Sequence, residues 1–123
     1  MGKRRRWKEP LSLETFERAL REEMSVSAEF GLPLTLMVVR AEGGLNPDTT
    51  RRLLGVVRAA DLVTLPTRCE FAVALPNTAT DIARVVERRV REVLPDAAVG
   101  VATCEPEDEV SSLLRRARGA VGT

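Results

Sequence analysis

Between residues 58 and 76 the chain reads RAADLVTLPTRCEFAVALP. An arginine and an aspartate, Arg58 and Asp61, stand just before a strand-like run. A turn carrying Thr67, Arg68, Cys69, Glu70 and Phe71 follows it. The chemistry on offer is two guanidiniums, two carboxylates and a thiol. Cys69 is a soft and usually protonated ligand, ill suited to Mg²⁺, which takes hard oxygens. The chain has no His and no Tyr, which removes the usual general base near neutral pH and the commonest zinc ligand. Cys69 and Cys104 lack metal-site spacing and read as buried free thiols. No glycine-rich dinucleotide fingerprint, Walker sequence or nucleophile elbow occurs. The residues therefore offer binding chemistry more readily than catalysis.

The frame that must position them is a single domain, since 123 residues bury one core. A net charge of +1 sets up no overall field toward nucleic acid or membrane. Five of the basic residues, Lys3, Arg4, Arg5, Arg6 and Lys8, fall in the first eight positions. With its single Trp this arm has the makings of an RNA or anionic-membrane contact. Nothing else in the chain supports nucleic-acid readout, so residues 1–10 read as a flexible, solubilising arm. No apolar run follows it, so neither a signal peptide nor a transmembrane segment is expected, and the location expected is cytoplasmic.

Beyond the arm, Leu13, Phe16, Leu20 and Met24 recur at helical spacing until GLP at 31–33. LTLMVVR, 34–40, is apolar and β-branched enough for a strand buried on both faces. A loop, AEGGLNPD, leads to a helix with Asn46 as N-cap and Pro47 first, whose inner face is Leu53, Leu54, Val57 and Ala60. DLVTL and EFAVALP form a hairpin across Pro66, Thr67 and Arg68. Thr78 or Thr80 caps the next helix, with Ile82, Val86, Val90 and Val93 as its buried stripe. AAVGVAT is a fourth strand, and Val110, Leu113, Leu114, Ala117 and Val121 face inward from a last helix. The order β-α-β-β-α-β, with a helix at either end, predicts an α+β, ferredoxin-like palm. Two helices pack on one face of a four-stranded antiparallel sheet, and the terminal helices cover part of the other.

Residues 11–121 then resemble the GGDEF, or diguanylate cyclase, family of bacterial signalling domains. LSLETFERALREEMSVSAEFGLPLTLMVV is similar to its opening helix and first strand, and DLV…EFAVALPNT to the stretch around its signature hairpin. VGVAT followed by LLRRARGAV is similar to its closing strand and helix. The resemblance places the family's Gly-Gly-Asp/Glu-Glu-Phe on Thr67, Arg68, Cys69, Glu70 and Phe71, so only the last two agree. It implies two glycines near the GTP phosphates where this chain has Thr and Arg, and an acidic metal ligand where it has Cys69. At the end of the first strand the family's Asp-x-Asp is matched by Arg40-Ala41-Glu42, and its guanine-binding segment is shortened to AEGGLNPD. Phosphoryl transfer depends on positioning and metal-assisted charge stabilisation, so no cyclase activity, metal or cofactor is expected. Without catalytic neighbours, Phe71 reads as core packing and Glu70 as an exposed turn residue.

One family feature matches in full. Members often carry Arg-x-x-Asp five residues before the signature, as an inhibitory site for the product, cyclic di-GMP. Arg58-Ala59-Ala60-Asp61 stands at that offset. A guanidinium can bond guanine O6 and N7 or a phosphate, and a carboxylate can accept from guanine N1–H and N2–H. RVVER, 84–88, resembles the family's accessory pattern and nominates Arg88 with Arg84, while Arg89 stays open because the spacing is one residue short. The resemblance thus implies a catalytically inactive receptor for cyclic di-GMP, crosslinking two protomers or a protomer and a partner. The alternative is a scaffold or dimerisation module in which Arg58 and the helix arginines are an ordinary wet face.

Overall fold

The computed structural model describes residues 8–121. Eight elements follow in order: α1 (Leu13–Phe30), β1 (Leu34–Arg40), α2 (Pro47–Leu54), β2 (Leu62–Thr67), β3 (Glu70–Pro76), α3 (Thr80–Val93), β4 (Ala98–Thr103) and α4 (Val110–Gly119). The strands form one antiparallel sheet in the order β2-β3-β1-β4. This is the expected α+β palm.

Strand alternation divides the apolar residues between two cores. Leu36, Val38, Ala72, Ala74 and Ala102 point to one face, where α1 supplies Phe16 and Leu20 and α4 supplies Leu113 and Ala117. Met37, Val39, Phe71, Val73 and Val99 point to the other, under Leu53 of α2 and Ala83 and Val90 of α3. Both faces of β1 and β3 are therefore dry, which explains their near-continuous apolar sequences. Ser12 caps α1 through its side chain, and Gly31, at φ 65°, ends it in the left-handed region that glycine enters without a Cβ penalty. Asn46 caps α2 ahead of Pro47 as expected. At Gly100 the backbones of β4 and α4 approach so closely that a Cβ would lie 2.1 Å from the Ala117 carbonyl oxygen.

Several expectations are corrected. The helix after Asn46 stops at Leu54, with Gly55 as its C-cap, so Val57 and Ala60 lie beyond it, Val57 packing on the core and Ala60 exposed. Arg58 accordingly sits in a separate loop and not at a helix end. The hairpin turn is tighter than expected, because β2 continues to Thr67, past a bulge between Thr64 and Thr67. Neither threonine caps α3 through its side chain; the N-cap is Ala79. On α3 the buried partner of Val90 is Ala83, while Ile82 is 54% exposed. The two thiols are free but only half-buried. Residues 1–7 of the basic arm lie outside the described residues; Lys8 donates to the Ala59 carbonyl at 2.9 Å, and Leu11 pairs with the edge of β2.

Candidate functional site

Two places could carry function, at opposite ends of the β2–β3 hairpin. At the turn end, β1 and β3 pair in a register that sets Arg40 beside Glu70. Arg40 Nη2 donates to Glu70 Oε2 at 2.9 Å, and Arg118 Nη2, from α4, reaches Oε1 at 3.4 Å. Glu70 is buried, contrary to the expectation of an exposed turn residue, because a carboxylate between two guanidiniums can leave water. Phe71, its neighbour on the other face, is in the core as expected.

The shortened loop after β1 closes over the turn. The N–H groups of Ala41 and Leu45 donate to the Cys69 and Arg68 carbonyls at 2.8 and 2.9 Å. Gly44 holds φ 87° there, in the left-handed region that glycine enters without a Cβ penalty. Thr67 accepts from the Cys69 N–H through its own hydroxyl, at 3.1 Å. The Arg68 and Cys69 carbonyls and the Cys69 N–H are thus satisfied by the chain itself.

This constellation does not fit the Mg²⁺ and triphosphate that the family resemblance implies. Its buried carboxylate already carries two cations, Arg68 adds a third positive side chain, and Cys69 offers a soft ligand. Among the described residues no group of three His, Cys, Asp or Glu is arranged to hold a metal ion.

At the far end, the loop between α2 and β2 brings Arg58 and Asp61 together, though not as two side chains open to one surface spot. The Asp61 side chain is only 1% exposed, whereas that of Arg58 is 54% exposed. Asp61 accepts the backbone N–H of Arg58 at 2.7 Å through Oδ2, and Arg58 Nη2 at 2.9 Å through Oδ1. The same Nη2 reaches Thr78 Oγ1 at 2.7 Å and the Pro76 carbonyl at 3.0 Å. One guanidinium therefore ties the loop before β2 to the connection between β3 and α3. Thr78 is buried beneath it, and its carbonyl accepts from Thr35 Oγ1 of β1 at 2.7 Å.

The α3 arginines divide into two sets. Arg84 and Arg91 both hold Glu87, at 2.7 and 3.0 Å. Burial pushes the Glu87 carboxyl up, but hydrogen bonds and charge from the two arginines prevail and hold it below its ordinary value. Arg88 and Arg89 are exposed and have no partner among the described residues. Of the expected ligand residues, then, Arg58, Arg88 and Arg84 present charge to solvent and Asp61 faces inward. Sequence reasoning missed Thr78, the Pro76 carbonyl and Arg118. Their partners lie 18 to 48 residues away in sequence, beyond any local signal.

Known structures similar to this one include GGDEF domains. A sensory box/GGDEF family protein from Caulobacter crescentus superposes with a TM-score of 0.81 at 16% identity, covering 91% of this chain and 90% of that one. The GGDEF domain of DgcB from the same organism, in complex with c-di-GMP, gives 0.76 at 18% identity over 98% and 88%. Diguanylate cyclase SiaD from Pseudomonas aeruginosa, in complex with its activator SiaC, gives 0.79 at 22% identity. There the match covers 89% of this chain but 52% of SiaD, so the chain spans about half of that protein. No protein-family profile matches the chain, and no curated protein matches it in sequence. At these identities the likeness establishes architecture: the chain has the fold of a GGDEF domain. Among the described residues no helix is long and apolar enough to cross a membrane.

Proposed function

We propose that this is a catalytically inactive GGDEF-fold domain that serves as a receptor for cyclic di-GMP. The observation that carries inactivity is the ion-pair cluster at the turn, where Arg40 and Arg118 converge on Glu70. Arg40 holds the position that the family resemblance gives to a metal-binding acid. A guanidinium fixed there repels Mg²⁺, and without the metal the charge developing on a transferring phosphoryl group has no counter-ion.

The ligand end is Arg58. Its half-exposed guanidinium is held in place by Asp61, Thr78 and Pro76, so little side-chain entropy remains to be lost when a ligand docks. Cyclic di-GMP is a dianion with stackable guanine faces, and Arg58, Arg88 and Arg84 can offset its charge and stack on it. Asp61 is a positioning residue in this arrangement. Guanine N–H groups reach its carboxylate only by taking the place of the Arg58 guanidinium. The c-di-GMP bound by the DgcB domain supports the choice of ligand.

The burial of Asp61 favours a second reading, in which Arg58 and Asp61 are a structural clamp and the domain is a scaffold that binds no nucleotide. Calorimetry with cyclic di-GMP separates the two. The receptor gives micromolar binding that Arg58→Ala weakens at least tenfold. The scaffold gives no heat at about 1 mM ligand, which limits binding to weaker than about −4 kcal/mol. Incubation with GTP and Mg²⁺ or Mn²⁺ is expected to give no cyclic product, and turnover would overturn the account of the turn.

A further inference from the structure

One flank of α3 makes no side-chain hydrogen bond or ion pair among the described residues. Asp81, Ile82, Val85, Arg89 and Glu92 follow one another down a single side of the helix, away from the Arg84–Glu87–Arg91 cluster. Ile82 and Val85 are 54% and 38% exposed. Asp81 and Arg89 are exposed and make no hydrogen bond or ion pair among the described residues. On the other side Arg84, Glu87 and Arg91 are paired with one another and Arg88 is an exposed cation at the border, so this flank is where exposed apolar side chains and unpaired charges of both signs coincide.

The charges on it are self-complementary under one symmetry only. Asp81 and Arg89 lie equally far from Val85, about 6 Å along the axis to either side. A two-fold axis through Val85 with the helices antiparallel sets each copy's Asp81 against the other's Arg89. It also brings Val85 onto Val85 and lays Ile82 on the aliphatic stem of Arg89. A parallel pair would instead oppose Asp81 to Asp81 and Arg89 to Arg89. The antiparallel pair also opposes the helix dipoles. We infer that α3 is an isologous self-association surface, its occupant the α3 of a second copy of this chain, closed by two Asp81–Arg89 pairs around Val85 and Ile82. The contact does not depend on the ligand reading, since it is built from Asp81, Ile82, Val85 and Arg89 and uses none of Arg58, Arg84 and Arg88.

A single pair of 14-residue helices covers less than a stable dimer requires, so the association is weak and concentration-dependent, with a dissociation constant on the order of 100 μM. Sedimentation velocity on the whole chain, from about 10 μM to about 1 mM without nucleotide, should show a monomer–dimer equilibrium. Ile82→Asp, at an exposed position, should weaken it at least tenfold without loss of fold. Asp81→Arg and Arg89→Asp should each weaken it, and the double swap should restore it. High salt should weaken the wild-type dimer. A chain that stays monomeric throughout, a double swap that fails to recover association, or a dimer broken by Phe30→Asp on α1 and unmoved by Ile82→Asp would each overturn the inference.

Discussion

Asp61→Ala removes the acceptor on which the loop before β2 is built. The Arg58 backbone N–H loses its 2.7 Å partner, and the guanidinium keeps only Thr78 and Pro76 of its three anchors. A hydrogen bond to a buried carboxylate contributes about 1.5–3 kcal/mol. The charge attraction to a half-exposed arginine is screened and adds less than about 1 kcal/mol. The expected loss is therefore about 2–3 kcal/mol, or roughly 8–12 °C in melting temperature for a domain of this size. Asp61→Asn retains an oxygen for the N–H but turns a donor NH₂ toward the Arg58 guanidinium, so it forfeits the charge and that hydrogen bond and should cost less than alanine by keeping the backbone bond. Urea unfolding of both variants beside wild type measures the difference. An alanine variant within about 0.5 kcal/mol of wild type, or one no worse than the asparagine variant, would refute the claim that this carboxylate organises the loop.

Gly100→Ala should destabilise by about 3 kcal/mol or leave the chain unfolded, since the new Cβ meets backbone at Ala117 and Val121 and no flexible side chain can give way. A folded variant within about 1 kcal/mol of wild type would mean that α4 does not sit so close to β4. Acid should destabilise the fold through Asp108. Burial pushes this carboxyl up, but the Glu105 N–H, the Ser112 hydroxyl and Arg116 together hold it below its ordinary value. A lowered folded value contributes stability in full above the ordinary carboxylate range and loses it as pH falls from about 4 toward the folded value. Denaturant midpoints taken from pH 7 downward should show that loss, and Asp108→Asn should flatten it; equal slopes in the two proteins would contradict the assignment.

The sequence carries most local information, though not where α2 ends or what caps α3, and long-range pairing hardly at all. Ser12, Asn46 and Gly31 end their helices where side-chain and backbone chemistry dictate. β1, apolar but for Thr35 and Arg40, reads as a central strand and is one. On α3, Ile82 and Ala83 compete for the inward position, and residue type favours Ile82. Geometry fixes Ala83, because that position faces the sheet in step with Val90, and Ile82 is left on the flank. Glu70 looked exposed because a turn glutamate ordinarily is; its burial depends on Arg118, 48 residues away. The Arg58–Asp61 pair was legible as a spacing. Which of the two would face solvent was not, because Thr78 and the Pro76 carbonyl decide it from the far side of the hairpin.

The receptor reading meets its most direct test in an NMR titration of ¹⁵N-labelled chain with cyclic di-GMP, followed through the Arg58 side-chain Nε–H and the amides of α3. Saturable shifts should gather at Arg58, Asp61 and Thr78 and along α3 at Arg84 and Arg88, while Glu70 and the turn at Arg68 and Cys69 stay still. No shift at about 1 mM ligand, or shifts centred on the turn, would contradict a ligand held by Arg58.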